Sequence, residues 1–265
     1  MPRPADPRNP GASWVYRLAA RIALSILGVQ RWRVETVGLE HVPRRGGAVL
    51  AANHASYWDF FLAGRGPYLA WGRPVRILAK EVLFRVPVFG AVMRRAEHIP
   101  VHRGSGAAAL SSAVDALREG ELVLVLPEQT ISRSFDLLPF KSGAARMAID
   151  AGVPLVPVVS WGSHRFHTKQ RPLRPRWRLP VSIHYGPALH PGPDDDPVAV
   201  TAELRQEMET LLDQVQRSYP DGMPAGAWWV PARLGGGAPP HDRMLREEEE
   251  RWAALRDGTG RNKGS

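Results

Sequence analysis

The sequence predicts a single α/β domain with a central mixed, largely parallel sheet flanked by helices, preceded by an amphipathic helix and followed by an irregular tail. Apolar runs such as 46–53 (GGAVLAAN) and 121–127 (ELVLVLP) are too short for helices, and glycine or proline bounds them, as is typical of buried strands. These runs alternate with helical patterns, which indicates an α/β sheet. A chain of 265 residues has room for one such domain with extensions.

The predicted elements follow one another along the chain. Strands are predicted at 46–53, 75–80, 97–103, 121–127, 153–162 and 179–186. Helices are predicted at 13–30, 57–66, 105–119, 142–151 and 198–217, with a short, broken helix at 81–95. We expect Gly64 and Gly66 to end the helix at 57–66, because glycine readily adopts the left-handed conformation that follows a helix.

Composition divides the chain into four parts. Residues 1–12 are polar and rich in proline, which predicts a disordered lead. Residues 13–30 form the amphipathic helix, and residues 31–218 form the main domain. Residues 219–265 form a tail that is first rich in glycine and proline and then charged. The pair Trp228 and Trp229 either pins this tail onto the domain, which we favour, or enters a membrane interface.

The helix at 13–30 is apolar except for a narrow polar stripe of Arg17, Arg21 and Ser25. It falls short of the roughly 20 apolar residues that a membrane span needs. Two interpretations remain open. The helix lies at a membrane interface, which suits its arginines and tryptophan, or it packs into the core and exposes its two arginines.

The formal net charge of +9 favours an anionic partner, such as a nucleic acid, an anionic membrane surface or a phosphate-bearing substrate. The basic residues are scattered and no module that reads nucleic acid is recognised, so we expect no nucleic acid partner. A basic loop at 167–180 meets anionic lipid headgroups or coenzyme A phosphates, or is simply a solvated surface. The chain has no cysteine, which excludes disulfides and thiolate metal sites. The histidines show no ligand spacing such as H-E-x-x-H, so we predict no metal.

A histidine and an aspartate follow the strand at 46–53, in the stretch NHASYWD. Ser56 and Asp59 have the spacing of a capping box, which starts a helix near Tyr57 and leaves His54 on the loop at the carboxyl end of a strand. From there Asp59 can reach back to His54, fix its tautomer and raise its basicity, which makes a general base. The alternative is that Asp59 serves only as a helix cap.

A second polar stretch, LPEQTISRS, follows the strand at 121–127. It brings Glu128 and Arg133 together with the hydroxyl groups of Thr130, Ser132 and Ser134. Guanidinium, hydroxyl and backbone N–H groups together are what phosphate recognition requires. The alternative is an ordinary polar loop with a surface Glu–Arg pair.

Four blocks of this sequence resemble those of the PlsC-type glycerolipid acyltransferases, which include 1-acylglycerol-3-phosphate acyltransferases, and they occur in the family's order. NHASYWD resembles the N-H-x4-D block, and EHIPVHR resembles the second block, which ends in an arginine, here Arg103. LPEQTISRS resembles the F-P-E-G-T-R-S block, and VPLVPVV resembles the apolar, proline-containing fourth block. The sequence T-I-S-R-S-F with PFKSGAARMA is similar to that of actinobacterial members.

The resemblance implies an acyltransferase domain over 31–218 that moves a fatty acyl group from acyl-CoA or acyl carrier protein to a lysophospholipid hydroxyl, in phospholipid biosynthesis. His54 would take the proton of the attacking hydroxyl, Asp59 would hold His54, and Glu128 with Arg103 would bind the glycerol phosphate of the acceptor. No cofactor is needed beyond the acyl donor. The resemblance and the charge together place the protein on the cytoplasmic side of the cell membrane, peripheral or monotopic.

The third block departs from the family pattern at Gln129 and Ile131, where the family has glycine and arginine. Ile131 supplies no charge for a phosphate, so Arg133 and Lys141 are the candidates to replace the arginine. 1-Acylglycerol 3-phosphate stays the first expectation for the acceptor, and another lysophospholipid or a glycolipid hydroxyl is the alternative.

Three other functions are weighed against acyl transfer. A lipid esterase or thioesterase would use the same His–Asp pair on water, although no G-x-S-x-G elbow supports the serine version. An assignment as a nucleic-acid-binding protein would rest on the positive net charge alone. A catalytically silent, lipid-binding relative would explain the altered third block.

Overall fold

The structure, a computed structural model, describes residues 12–102 and 106–256. Within these residues seven strands form one sheet in the order β1-β7-β6-β2-β5-β3-β4. All neighbouring strands are parallel except β6 and β7, which are antiparallel. The strands are β1 (Arg33–Val37), β2 (Ala48–Ala52), β3 (Val75–Lys80), β4 (Ile99–Val101), β5 (Leu122–Val125), β6 (Leu155–Trp161) and β7 (Pro180–Tyr185). The predicted fold class, a mixed but largely parallel α/β sheet, is confirmed.

Helices cover both faces of this sheet. They are α1 (Trp14–Val29), α2 (Asp59–Trp71), α3 (Glu81–Arg85), α4 (Phe89–Arg95), α5 (Gly106–Arg118), α6 (Gly143–Ala151), α7 (Pro197–Arg217) and α8 (His241–Arg256). The central strand β2 shows the two layers, because successive side chains of a strand point to opposite faces. Val49 and Ala51 belong to the core beneath α5, α6 and α7, whereas Leu50 belongs to the core beneath α2.

Strand β1 (RVETV) was not predicted from the sequence. It lies at one edge of the sheet, pairs only with β7 among the described strands, and its residues alternate between exposed and half-buried. An edge strand of this kind lacks the continuous apolar run that identifies buried strands.

Helix α2 starts later and ends later than predicted. It begins at Asp59 rather than near Tyr57, and it continues through Gly64 and Gly66 to Trp71, where Gly72 takes the left-handed conformation. The two inner glycines are buried and allow close packing. A Cβ atom on Gly66 would lie 2.6 Å from the hydroxyl oxygen of Tyr185 on β7, so the glycine marks a contact and not a helix end.

Helix α1 packs on the domain through a few residues and leaves an apolar stripe outside. Val15, Ala20 and Leu27 are buried. The stripe consists of exposed side chains spaced about one turn apart: Trp14, Leu18, Ile22, Ile26 and Val29. The helix therefore does not bury this stripe among the described residues, and its contact with a membrane stays a prediction. Among the described residues, none of the helices has the length and apolar character to cross a membrane.

The segment after α7 packs onto the domain. Tyr219, Trp229 and Val230 are buried in the core beneath α7, and Trp228 packs against the same cluster. The Nε2–H of the buried His164 donates to the carbonyl oxygen of Trp229 at 3.0 Å. Burial lowers the pKa of His164 to about 3, so its ring is neutral at pH 7. The tryptophan pair therefore pins this segment to the domain, as the favoured interpretation predicts.

Replacing Gly66 by alanine tests the contact between α2 and β7. The new methyl group meets the Tyr185 hydroxyl, which is itself fixed by a 2.7 Å hydrogen bond to the carbonyl oxygen of Ala63. We expect Gly66→Ala to lower the free energy of unfolding by about 1–3 kcal/mol in urea denaturation, although alanine is the better helix former. Gly28→Ala, in α1 with nothing within 4 Å of the added Cβ, is the control and should not destabilise. Equal effects of the two substitutions would contradict the contact.

Candidate active site

The candidate site lies at the carboxyl ends of three adjacent parallel strands, β5, β2 and β6. His54 is on the loop after β2, Glu128 is on the loop after β5, and the loop 162–171 follows β6. Ligand sites gather at this edge in open α/β sheets. The sheet therefore brings together three loops that are far apart in the sequence.

Asp59 lies fully buried at the first turn of α2 and holds the loop that carries His54. Its Oδ2 atom accepts hydrogen bonds from the His54 ring at Nδ1 (3.3 Å) and from the backbone N–H groups of Ala55 and Ser56 (both 2.7 Å). Its Oδ1 atom accepts from the hydroxyl of Ser163 at 3.2 Å. The contact between Asp59 and His54 predicted from the sequence is present.

This contact decides which nitrogen of His54 carries the proton. Because the carboxylate of Asp59 accepts from Nδ1, the neutral ring is protonated at Nδ1 and its lone pair lies at Nε2. The His54 side chain is 16% exposed, so the ring is neither freely solvated nor sealed in the core. In this tautomer Nε2 is the ring nitrogen that is able to accept a proton.

The carboxylate of Asp59 also holds the turn that precedes α2. Oδ2 accepts the N–H of Ser56, as in a capping box, while the hydroxyl of Ser56 accepts the N–H of Trp58 at 3.1 Å. Only the Asp59 half of the predicted box forms, because the Ser56 hydroxyl accepts from Trp58 rather than from Asp59. The turn at 56–58 precedes the first helical residue, Asp59, and Trp58 rather than Ser56 is the N-cap. Asp59 thus holds the turn before the helix and the ring of His54 at once.

Glu128 joins the loops after β2 and β5. Its Oε1 atom accepts the backbone N–H of His54 at 2.6 Å, and its Oε2 atom accepts the backbone N–H of Leu138 at 2.9 Å. The N–H of Ser132 donates to the carbonyl oxygen of His54 at 2.8 Å. Burial raises the pKa of Glu128 to about 8, against the opposing effect of the two backbone donors. Both oxygens of Glu128 are therefore engaged with the protein backbone.

The two residues of the third block that differ from the family pattern, Gln129 and Ile131, lie in different environments. Gln129 has φ of +59°, so this exposed residue adopts the left-handed conformation that glycine would adopt without strain. Ile131 is buried and brings no charge to the site. The backbone path of a glycine is retained, whereas the charge of an arginine is not.

The remaining predicted binding residues differ in burial and in their partners. Thr130 and Ser132 are buried, and the Ser132 hydroxyl donates to the carbonyl oxygen of Asp136 at 2.6 Å. The guanidinium of Arg133 turns toward Gln170 and pairs with Glu247 of α8. Lys141 is exposed, and its backbone N–H donates to the carbonyl oxygen of Pro127 at 3.1 Å. Arg103 lies outside the described residues.

The loop 162–171 contributes site residues that the sequence did not predict. Ser163 donates to Asp59, the Thr168 hydroxyl donates to the carbonyl oxygen of Ala55 at 2.6 Å, and the ammonium group of Lys169 donates to the Thr130 hydroxyl at 3.1 Å. The position of this loop after the buried strand β6 is the signal that could have identified it, because that strand ends beside β2.

In comparisons with known proteins, residues 33–161 match the family model described as Acyltransferase. The chain is 33% identical over 165 residues to a 1-acyl-sn-glycerol-3-phosphate acyltransferase of Limnanthes douglasii, covering 59% of this chain and 54% of that protein. It is 28% identical over 208 residues to the protein of that name from Pseudomonas aeruginosa, covering 77% of this chain and 72% of that protein. The chain thus spans about half the length of the first of these relatives.

A solved structure shows the same fold. The crystal structure of the 1-acyl-sn-glycerophosphate (LPA) acyltransferase PlsC from Thermotoga maritima superposes with a TM-score of 0.63 at 20% sequence identity, covering 77% of this chain and 80% of that chain. The region that matches the family model runs from β1 to the end of β6 and contains His54, Asp59 and Glu128. Residues 33–161 therefore form a domain that matches the Acyltransferase family model, on a fold shared with that structure.

Proposed function

We propose that this protein transfers a fatty acyl group from an acyl thioester, acyl-CoA or acyl carrier protein, to the free hydroxyl of a lysophospholipid, with 1-acylglycerol 3-phosphate as the first candidate. The observation that carries this proposal is the partly exposed imidazole of His54, which is oriented by the fully buried carboxylate of Asp59 within an acyltransferase-family domain. Two relatives named for this reaction support the choice of acceptor.

In the proposed reaction Nε2 of His54 removes the proton from the acceptor hydroxyl as its oxygen attacks the thioester carbonyl carbon. The tetrahedral intermediate then collapses, the carbon–sulfur bond breaks, and the imidazolium returns its proton to the leaving thiolate. Asp59 stabilises the imidazolium, because four donors fix the position of its carboxylate beside the ring. The acyl group passes directly to the hydroxyl, so the absence of cysteine from the sequence is no obstacle.

Glu128 has a positioning role in this proposal. Its two oxygens hold the backbone of His54 and of Leu138, so it sets the distance between the loops after β2 and β5. General-base catalysis depends on placing the base within hydrogen-bond reach of the proton that it removes. Direct contact between Glu128 and the acceptor, which the resemblance implied, stays a separate prediction.

The proposed lipid substrate suits the outer surface of the domain. The apolar stripe on α1 lies beside Arg21. The basic loop 167–180 exposes Leu173 and Trp177 among its arginines. Apolar side chains beside arginines favour binding at the surface of an anionic bilayer. We propose that the protein binds the cytoplasmic face of the membrane peripherally through this surface.

The reaction is tested by offering the purified protein a panel of lysolipids and glycerol 3-phosphate with palmitoyl-CoA and oleoyl-CoA, with products identified by mass spectrometry. We expect a diacyl product from a lysophospholipid. Release of the acyl chain as free acid, independent of any acceptor, would instead identify an esterase or thioesterase that uses the same pair of residues on water.

His54→Ala removes the proposed base. We expect kcat to fall by about 100-fold to 10,000-fold, the usual contribution of a general base, with an unchanged circular dichroism spectrum. His190→Ala, at an exposed histidine, is the matched control and should retain full activity. Substantial turnover by His54→Ala would exclude the general-base role.

Ile22→Glu places a charge in the middle of the exposed stripe on α1. Because Ile22 is 56% exposed, the fold should be unaffected. Binding to phosphatidylcholine vesicles that contain phosphatidylglycerol should weaken by about tenfold or more, since burial of one isoleucine contributes about 1.5–3 kcal/mol. Val198→Glu adds the same charge at an exposed position on α7 and serves as the control. If both variants sediment with vesicles as the wild type does, α1 is not the contact.

A further inference from the structure

The two oxygen atoms of the Asp59 carboxylate have different partners. Oδ2 accepts from the backbone N–H groups of Ala55 and Ser56 at 2.7 Å each and from the ring of His54 at 3.3 Å. Oδ1 accepts from the hydroxyl of Ser163 at 3.2 Å, and no other described residue donates to this oxygen. The carboxylate is therefore held on one side by the loop after β2 and on the other side by the loop after β6.

Of the three contacts at Oδ2, the one with the His54 ring is the most sensitive to movement. Hydrogen bonds of the N–H···O type span about 2.7–3.2 Å, so the 3.3 Å contact is already at the outer limit. Rotation about the Cβ–Cγ bond of an aspartate has a broad energy minimum. A turn that lengthens all three contacts by about 0.3 Å leaves the two backbone hydrogen bonds intact and breaks the one with His54.

Ser163 is held in a fixed place beside this carboxylate. It is fully buried and begins the short 3-10 helix that follows β6. Its carbonyl oxygen accepts from the backbone N–H groups of Phe166 at 3.0 Å and of His167 at 3.2 Å. Gly162, which precedes it, has φ of +102°, a conformation that glycine adopts readily and other residues do not. The backbone on both sides of Ser163 therefore fixes the place of its hydroxyl group.

Two more side-chain hydrogen bonds join the loop after β6 to the loop after β2. The Ser56 hydroxyl donates to the carbonyl oxygen of His167 at 2.8 Å, and the Thr168 hydroxyl donates to the carbonyl oxygen of Ala55 at 2.6 Å. Both of these bonds hold backbone atoms. Of the three bonds between the two loops, only the one from Ser163 acts on the carboxylate that orients the base.

We propose that Ser163 is a positioning residue for the base. Its hydroxyl fixes the rotation of the Asp59 carboxylate, and the carboxylate fixes the His54 ring with the lone pair at Nε2. This inference rests on the proposed acyl transfer, in which Ser163 acts through Asp59 and not on the substrate. Without the hydroxyl, Oδ1 has no donor among the described residues, the carboxylate turns, and the imidazole loses its fixed tautomer.

The ring of His54 reports this role directly. In protein prepared with isotope-labelled histidine, the NMR shifts of the ring nitrogens at alkaline pH distinguish an Nδ1–H ring from an Nε2–H ring, and His54→Ala assigns the signals. We expect the Nδ1–H tautomer at His54 in the wild type and a mixture of both tautomers in Ser163→Ala. The measurement needs no turnover, so it does not depend on the proposed reaction.

Ser160→Ala is the matched control for this measurement. Ser160 lies three residues before Ser163 and is equally buried. Its hydroxyl oxygen has no hydrogen-bond partner in the part of the chain that the structure describes. Ser160→Ala therefore deletes the same buried atom without deleting a hydrogen bond, and it should keep the wild-type signals of His54.

Steady-state kinetics separate positioning from a loss of packing. Ser163→Ala should lower kcat by about tenfold to 100-fold, the value of a hydrogen bond to a charged group, while the KM of the acceptor and that of acyl-CoA change little. Ser163→Thr keeps the hydroxyl and should restore most of kcat, although its added methyl group lowers Tm. Ser160→Ala should retain the full kcat.

Three results would overturn the assignment. Equal losses of kcat in Ser163→Ala and Ser160→Ala would show that packing, and not the hydrogen bond, is responsible. A wild-type tautomer of His54 in Ser163→Ala would show that Asp59 keeps its place unaided. A rise in the KM of the acceptor with an unchanged kcat would place Ser163 on the substrate. A changed tautomer in Ser163→Ala, in a protein that transfers no acyl group, would support the role of Ser163 and contradict only the proposed reaction.

Discussion

One buried carboxyl group, that of Glu128, joins the two loops on which the candidate site is built. Burial of an unpaired carboxylate costs several kcal/mol, and hydrogen bonds from the backbone of His54 and Leu138 offset only part of that cost, so the pKa of Glu128 is raised to about 8. Each oxygen accepts one backbone N–H, so the group tolerates little change in the separation of the loops after β2 and β5. The position of His54 follows from this constraint.

Asp59 carries the second buried carboxyl group of the site, and its role differs from that of Glu128. Glu128 holds the backbone of His54, whereas Asp59 holds its ring and selects the Nδ1-protonated tautomer. The negative charge of Asp59 adds to burial in raising the pKa of Glu128. Glu128 thus determines where the base lies, and Asp59 determines which of its nitrogens can accept a proton.

The sequence predicted those features that depend on local pattern. Buried strands appear as short apolar runs, and the strand-end rule placed His54, Glu128 and Thr130 at one edge of the sheet. The contact of Asp59 with His54 follows from the spacing of a capping box, which is also local.

The features that the sequence did not predict depend on distant partners. Residues 33–37 form a strand because they pair with β7. Helix α2 continues through Gly66 because Tyr185 packs against this residue. The pairing of Arg133 with Glu247 and the approach of Lys169 to Thr130 join segments far apart in the chain. No local spacing encodes such contacts, so only the structure reveals them.

The most direct test of the central claim is steady-state kinetics of Glu128→Gln. An amide has one accepting oxygen, so it can satisfy only one of the two backbone N–H groups. If Glu128 positions the base, kcat falls by about 100-fold, as expected for displacement of a catalytic group by about 1 Å, and the KM of the acceptor changes little. A rise in the KM of the acceptor with an unchanged kcat would show that Glu128 binds substrate instead.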